Sequence, residues 1–420
     1  MPSVISVVKL RLVALAGAAA LALTALSGCI GVWGRPPVST VDAAAPYGSQ
    51  IEYNRRVFDT AWDAVRRHYY DGSMHGVDWN AARDRHRAQA ESATSDEELY
   101  EALNLLLAEL RDEHTYAASP DEVEEERRQE SVLVGLISSP YGELENQRLV
   151  LDVIPGSSAA SSGIQPGWVL LSVDGRPPSD VLGPGRLDAG QSVQCEFLDN
   201  ADRIQLVLLT ATPVSVKPIR SVRAMEGGVV VIRFDRFTLD AARWVRAQLK
   251  IHRDAPGVIV DLRQNPGGEA LALARALGEF FPRSVPMGRF VRRSGVDEHL
   301  RASPGLVGAR YRGAVAVLVS EASGSSSEIF AHAIQLQKRG RVFGAKTSGA
   351  VLGADIGPLP GGGELQVSVR DFLAADGTRL EGVGVQPDVV METRVEDLRA
   401  GRDPVLQAAA DYVRRVAAAR

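Results

Sequence analysis

One stretch constrains the fold of this chain more than any other: residues 314–335, AVAVLVSEASGSSSEIFAHAIQ. Val315 to Val319 has the β-branched density of a buried strand, and Glu328 to Leu336 sets Ile329, Ala333 and Leu336 at helical spacing. The same alternation recurs upstream, where VVVIRFDRF, a helix from Asp240 to Arg253, GVIVDLRQNPGGEA and a further helix follow one another. Strands alternating with helices predict an α/β core. The turn inside the 314–335 unit carries three candidate hydroxyls, Ser323, Ser325 and Ser326. A serine at the entry of a helix sits among unpaired backbone N–H groups and the positive end of the helix dipole, where a developing oxyanion is stabilised. Ser325 with Glu328 is also S-x-x-E, a capping box that satisfies two orphan amides. On these residues alone, capping is the favoured reading.

The chain has 420 residues, 45% hydrophobic and 24% charged, which predicts globular packing in two or three domains. Lys+Arg 47 against Asp+Glu 52 gives a net charge of -5, and no basic run occurs, which sets nucleic-acid binding aside. The seven histidines are scattered, with no H-x-x-x-H or C-x-x-C spacing, so no metal and no other cofactor is expected. Lys9 and Arg11 precede an apolar stretch from Leu12 to Leu26, too short to span a bilayer but suited to a signal-peptide core. It ends in Leu26-Ser27-Gly28-Cys29, which resembles a bacterial lipobox. That resemblance implies a lipoprotein signal peptide over 1–28, acylation of Cys29 and a membrane-anchored envelope protein. Ile30 is not the aspartate associated with inner-membrane retention, which favours the outer membrane if the cell is Gram-negative. Residues 29–50, aperiodic and containing Pro, Gly and Ser, read as a tether. With Cys29 lipidated, Cys195 has no partner. It alternates with Val193 and Phe197, the period of a half-buried strand, and reads as a small core residue.

Three folded regions follow. Over 51–130 apolar residues such as Val57, Ala61, Val65, Leu99, Leu103 and Leu106 recur at steps of three and four, which predicts a helical domain. Its end, DEVEEERRQE, reads as a solvated helix or hinge. Residues 131–215 break into short strands with Gly and Pro turns, and 216–420 carries the α/β pattern and a terminal helix opened by Asp403-Pro404.

The turn S-G-S-S-S-E-I-F resembles the S-A-S-A-S-E-I active-site turn of the C-terminal-processing (tail-specific) serine protease family. D-L-R-Q-N-P-G-G resembles that family's second signature, AWDAVRRHYYDG with GVDWNAARDRH its helical entry domain, and VLDVIPGSSAASSGIQPGWVLLSVDGRP a PDZ domain. The resemblance implies an α/β multidomain protein with an N-terminal helical domain, a β-rich PDZ domain and a crotonase-like protease core. It places the nucleophile on Ser325. One oxyanion-hole N–H comes from the Gly267, Gly268 pair and the other from Ser326. PDZ domains add an extended peptide to a sheet edge, and Gly135, Leu136 and Ile137 fall in the candidate carboxylate loop. Ser320, where the family often has Asn, and Gly324 and Ser326, which replace alanines, depart from the pattern.

Serine needs a base within hydrogen-bond reach. The best-known members carry a lysine in G-x-x-T-F-G-K-G, and the matching position here is Ala350. Lys346, four residues earlier, is displaced by roughly 13 Å in an extended segment. His332 lies two helical turns from Ser325, about 10 Å away, and reads as an ordinary helix histidine. In the tricorn-like branch of the family a histidine just before the PDZ region is the base and a glutamate near the end of the core orients it. The matching residues are His114 and Glu381. The expectation is a serine endopeptidase acting on envelope polypeptides, held by their C-terminal residues, with activity falling as pH drops through about 6.5. The alternative is a catalytically silent member that binds peptides or organises partners; an esterase or amidase is weaker still.

Overall fold

The structure, a computed structural model, describes residues 48–141, 146–182, 187–215, 218–304 and 311–419. The expected signal peptide, Cys29 and nearly all of the tether lie outside the described residues. The described residues divide into two compact units: 125–215 with 393–403, and 48–124 with 218–392 and 404–419.

The larger unit is built on a six-stranded sheet. Its order is Val389–Val390, Arg341–Gly344, Ala314–Val319, Gly257–Asp261, Val230–Phe234 and Arg220–Ala224, all neighbours parallel except the last pair. The central strands are continuous apolar runs because both faces are covered. Val315, Val317 and Val319 share one core with Ile329, Phe330 and Ile334 of the helix Ser326–Leu336. Ala314, Ala316 and Leu318 share the opposite core with Val405, Leu406, Ala409 and Val413 of the terminal helix Pro404–Ala418. A side-chain period of two thus feeds two cores from one strand. Each large aliphatic side chain so buried contributes about 1.5–3 kcal/mol.

A second, antiparallel sheet centres on the long strand Glu364–Ala374, flanked by Val285–Arg292, Gly353–Pro358 and the short strand Tyr116–Ala118. The helices Gln50–His68, Trp79–Ser92 and Asp96–Ala108, capped by Ser49, Asp78 and Ser95, bury Val57, Phe58, Leu103 and Leu106 against Leu365, Val367 and Val369 of that strand. The helical segment therefore shares its core with the sheet. Register Tyr116↔Gln366 carries His114, two residues earlier, to the level of Ser368.

The smaller unit is a five-stranded antiparallel sheet in the order Leu136–Tyr141, Gln147–Val153, Val169–Val173, Ser192–Leu198, Ile204–Thr210. Val193, Cys195 and Phe197 alternate into its core, where burial pushes the Cys195 thiol up to about 12 and leaves it unreactive. The charged segment before it forms the helix Pro120–Arg128, with no buried residue.

Candidate active site

The turn after Ala314–Val319 is laced to the loop after Gly257–Asp261 by serine hydroxyls. Ser320 Oγ donates to Arg263 O, Ser323 Oγ to Leu262 O at 2.8 Å, Ser326 Oγ to Gly268 O at 2.8 Å, and Ser327 Oγ to Asn265 O at 2.7 Å. These four serines are structural. Ser325 is the hydroxyl of the five left out of the lacing, which separates it from Ser323 and Ser326.

Ser325 does not have the backbone of a capping serine, which is extended. Its φ of 49° and ψ of -117° are a strained conformation for a residue with a Cβ, the kind that costs roughly 1–3 kcal/mol and is held by its surroundings. Its N–H donates to Ala350 O at 2.7 Å and to Glu328 Oε2 at 3.0 Å, and the capping box with Glu328 is in place. Gly267, at φ 118°, lies against it: a Cβ there would stand 2.5 Å from Ser325 Cβ. Only glycine fits.

The backbone donors beside Ser325 can be sorted. Gly267 N–H is committed to Asn265 Oδ1 at 2.9 Å. The bridge between Phe237 and Gly268 uses Gly267 O and the Glu269 N–H, which leaves Gly268 N–H as the donor of the glycine pair. Ser326 is the first residue of its helix, so its N–H is one of the orphan amides. Asn265, fully buried and also donating to Phe234 O at 3.0 Å, orients this loop. Sequence reading passed over it; its place in D-L-R-Q-N-P-G-G was the available signal.

Glu328 does more than cap. Fully buried, it accepts from Thr347 Oγ1 at 2.5 Å and Gly349 N–H at 2.8 Å through one oxygen. Through the other it accepts from Ala350 N–H at 2.9 Å, Ser348 Oγ at 3.2 Å and Ser325 N–H. Burial pushes its carboxyl upward against these donors. One side chain thus clamps the Ser325 turn to residues 347–350.

The next amide in that segment, Val351 N–H, donates to Glu381 Oε2 at 2.7 Å, so Glu381 stands one residue from the carbonyl that accepts the Ser325 amide. Burial raises the Glu381 carboxyl to about 7; the Val351 bond opposes this, and the Asp112 and Glu328 charges add to it. His114 belongs to a loop pinned by Asp112, whose Oδ1 accepts the amides of His114 at 2.8 Å and Thr115 at 2.7 Å and the Ser368 hydroxyl at 3.0 Å. Gln366 Nε2 donates to His114 O at 2.8 Å. Burial holds the imidazole below the ordinary histidine value, against the pull of Asp112, so it is neutral at pH 7. Its Nδ1 is buried and meets no hydrogen-bond partner. The structure therefore does not join that nitrogen to Ser325 or Glu381, a looseness common in substrate-free sites.

Ala350, in the position of the family's lysine, is buried with its carbonyl accepting the Ser325 amide, Lys346 is exposed, and His332 Nε2 lies 3.3 Å from Asp376 Oδ1. No cluster of three His, Cys, Asp or Glu side chains able to hold a metal occurs among the described residues. In the smaller unit, Gly135 has φ 90° and lies where a Cβ would collide with Ser157 Cβ at 2.1 Å. Leu136 and Ile137 open the edge strand, opposite Val153 and Asp152.

Residues 228–391 match the model of peptidase family S41, and residues 52–108 match the tricorn protease C1 domain. The chain is 26% identical over 387 residues to a chloroplastic C-terminal processing peptidase of Tetradesmus obliquus, covering 84% of this chain and 80% of that protein. It is 26% identical over 417 residues to tricorn protease homolog 1 of Streptomyces coelicolor, covering 88% of this chain and 35% of that one. It thus spans about a third of the tricorn homologues it matches. The solved photosystem II D1 C-terminal processing protease superposes with a TM-score of 0.57 at 22% identity, over 86% of this chain and 97% of the other. That likeness is one of fold.

Proposed function

The chain belongs to peptidase family S41, and on that premise we propose that it is a serine endopeptidase in which Ser325 is the nucleophile, His114 the base and Glu381 the orienting carboxylate. The observation that carries the proposal is Ser325 itself. Its hydroxyl is left out of the lacing that occupies its four neighbours, its backbone is strained, and it stands at a helix start against a glycine that leaves no room for a side chain.

Neutral His114 takes the Ser325 Oγ proton as Oγ attacks the peptide carbonyl carbon. The oxyanion accepts from Ser326 N–H and Gly268 N–H, donors fixed before substrate arrives. The imidazolium then protonates the leaving nitrogen, and water, deprotonated by the same base, releases the acyl group. Glu381 stabilises the imidazolium, which it does only when ionised. Its raised carboxyl, more than His114, therefore sets the acid limb of the rate, near pH 7.

The smaller unit is proposed to be a PDZ domain that receives substrate termini at Gly135, Leu136 and Ile137, the larger a helical domain joined to a crotonase-like core. The expected domains are helical over 51–130, PDZ over 131–215 and protease over 216–420. Lipidation at Cys29 after removal of 1–28 would hold the protein in the envelope, where its substrates are proposed to be polypeptides. A second reading, a silent peptide-binding member, is favoured by Ala350 in the lysine position together with the unbonded His114 Nδ1. Cleavage of an unfolded protein by residues 30–420, wild type against Ser325→Ala, His114→Ala and Lys346→Ala, separates the two. Loss in the first two and retention in the third is the expected pattern. Wild type no better than Ser325→Ala at every pH would leave peptide binding as the function.

A further inference from the structure

Glu381 and His114 reach the site on loops that are far apart in sequence, and a directed chain of hydrogen bonds links those loops through the helical segment. Arg379, two residues before Glu381, donates Nη1–H to Glu381 O at 3.2 Å, Nε–H to Asp371 Oδ2 at 2.8 Å and Nη2–H to Tyr70 Oη at 3.2 Å. A guanidinium cannot accept. Tyr70 oxygen is therefore the acceptor, and its own O–H is free for His75 Nε2, 2.6 Å away. Burial keeps that phenol protonated. Leu110 O can only accept, so His75 Nδ1 carries a proton and donates to it at 2.7 Å. The chain thus runs from Arg379 through Tyr70 and His75 to Leu110. Leu110 stands two residues before Asp112, whose carboxylate holds the His114 amide.

The main chain is bent to present this ring. Met74 and His75 have φ of 51° and 52°, left-handed values for residues with side chains. Asp71 holds them there, accepting the Ser73 amide on one oxygen and the His75 amide on the other, each at 2.9 Å. Tyr69 and Tyr70 wall the imidazole edge-on, ring centres 5.8 and 5.6 Å away. Tyr70 N–H itself donates to Ser368 O at 2.9 Å, on the strand beside the His114 loop. Strain maintained by this many contacts marks a geometry in use.

We infer that Tyr70, His75 and Arg379 are positioning residues, a chain that fixes the Glu381 loop against the His114 loop. The inference rests on the peptidase reading, since it gives the two loops their roles. None of the three touches the reacting atoms. A misplacement of about 1 Å at a catalytic group can cost roughly a hundredfold in rate, so loss of one link is felt in kcat.

The test uses the full chain with wild type, Tyr70→Phe, His75→Leu, His75→Gln and the Tyr70→Phe/His75→Leu double variant, with ¹⁵N signals of the histidine rings recorded on each. Tyr70→Phe is expected to lower kcat about tenfold with KM within about twofold. His75→Gln, which keeps a donor and an acceptor, should retain more activity than His75→Leu. The double variant should be no worse than its worse single, because one break already opens the chain. The His114 ring signals should move in Tyr70→Phe, about which a merely packing role is silent. Tyr70→Phe at wild-type kcat with His114 signals unmoved would overturn the inference and leave the peptidase reading intact. Wild type no more active than Ser325→Ala would overturn the peptidase reading, and the link would then stand or fall on whether the His114 signals move.

Discussion

The Ser325 turn and the His114 loop are held by opposite means. Around Ser325 the polar groups are partnered within three neighbouring segments: four serine hydroxyls, Asn265 and the five donors on Glu328 all close hydrogen bonds. His114 instead lies in the loop before the short strand Tyr116–Ala118, which pairs with Glu364–Ala374, and its buried Nδ1 closes nothing. Ser325 is thus held by a dense set of hydrogen bonds around its turn, and His114 by a loop beside the second sheet.

The sharpest way to break the comparison is around Ser325. Gly267→Ala adds a methyl 2.5 Å from Ser325 Cβ at a φ that disfavours it, so activity should fall by about 10³-fold or more, with loss of serine labelling by a fluorophosphonate as the check. Unchanged labelling would mean the turn is soft. Next comes Glu328→Gln. Every contact of Glu328 is a donor, so an amide NH₂ there must face one, and a loss of about 2–4 kcal/mol in stability by urea titration is expected, along with activity.

The His114 side is probed by charge. Asp112→Asn keeps an acceptor for the His114 and Thr115 amides but removes a charge that raises the Glu381 carboxyl. The acid limb of kcat/KM should then move down by about half to one pH unit. An acid limb that stays in place would show that Glu381 does not set it. The smallest effect concerns stability. A carboxyl raised to about 7 binds its proton more tightly folded than unfolded, so stability falls as pH rises from about 4.5 through 7. Glu381→Gln should therefore match wild type near pH 5 and exceed it at pH 8.5 by about 1–3 kcal/mol, offset by the Val351 bond it weakens. His114 acts in the other sense: its depressed value means the unfolded chain takes up the proton first, so stability falls as pH drops below about 6.5.

Legibility in the sequence follows the same division. The strand, turn and helix around Ser325 were readable because their apolar periods and small residues are local, and the helices of 50–108 because their apolar steps are regular. The S-x-x-E pattern named Glu328 as a cap but could not show that residues 347–350 fold onto it. Cys195 was placed in a core by alternation alone. His114 and Glu381 were reached only through resemblance, since no period links residues so far apart in sequence. The Tyr70, His75, Arg379 chain gave no sequence signal at all, because its partners lie on three separate elements and its direction appears only with atoms in place. The expected pH dependence changed for the same reason: burial, invisible in sequence, moves Glu381 up and His114 down.

The most direct test of the Ser/His arrangement is the pH profile of kcat/KM on an unfolded polypeptide from pH 5 to 10, for wild type and His114→Ala. The expected result is an acid limb near pH 7, a plateau above it, and loss of activity in His114→Ala across the range. A wild-type rate that keeps climbing above pH 9, or a His114→Ala variant that retains it, would contradict the assignment and point to an amine as the base.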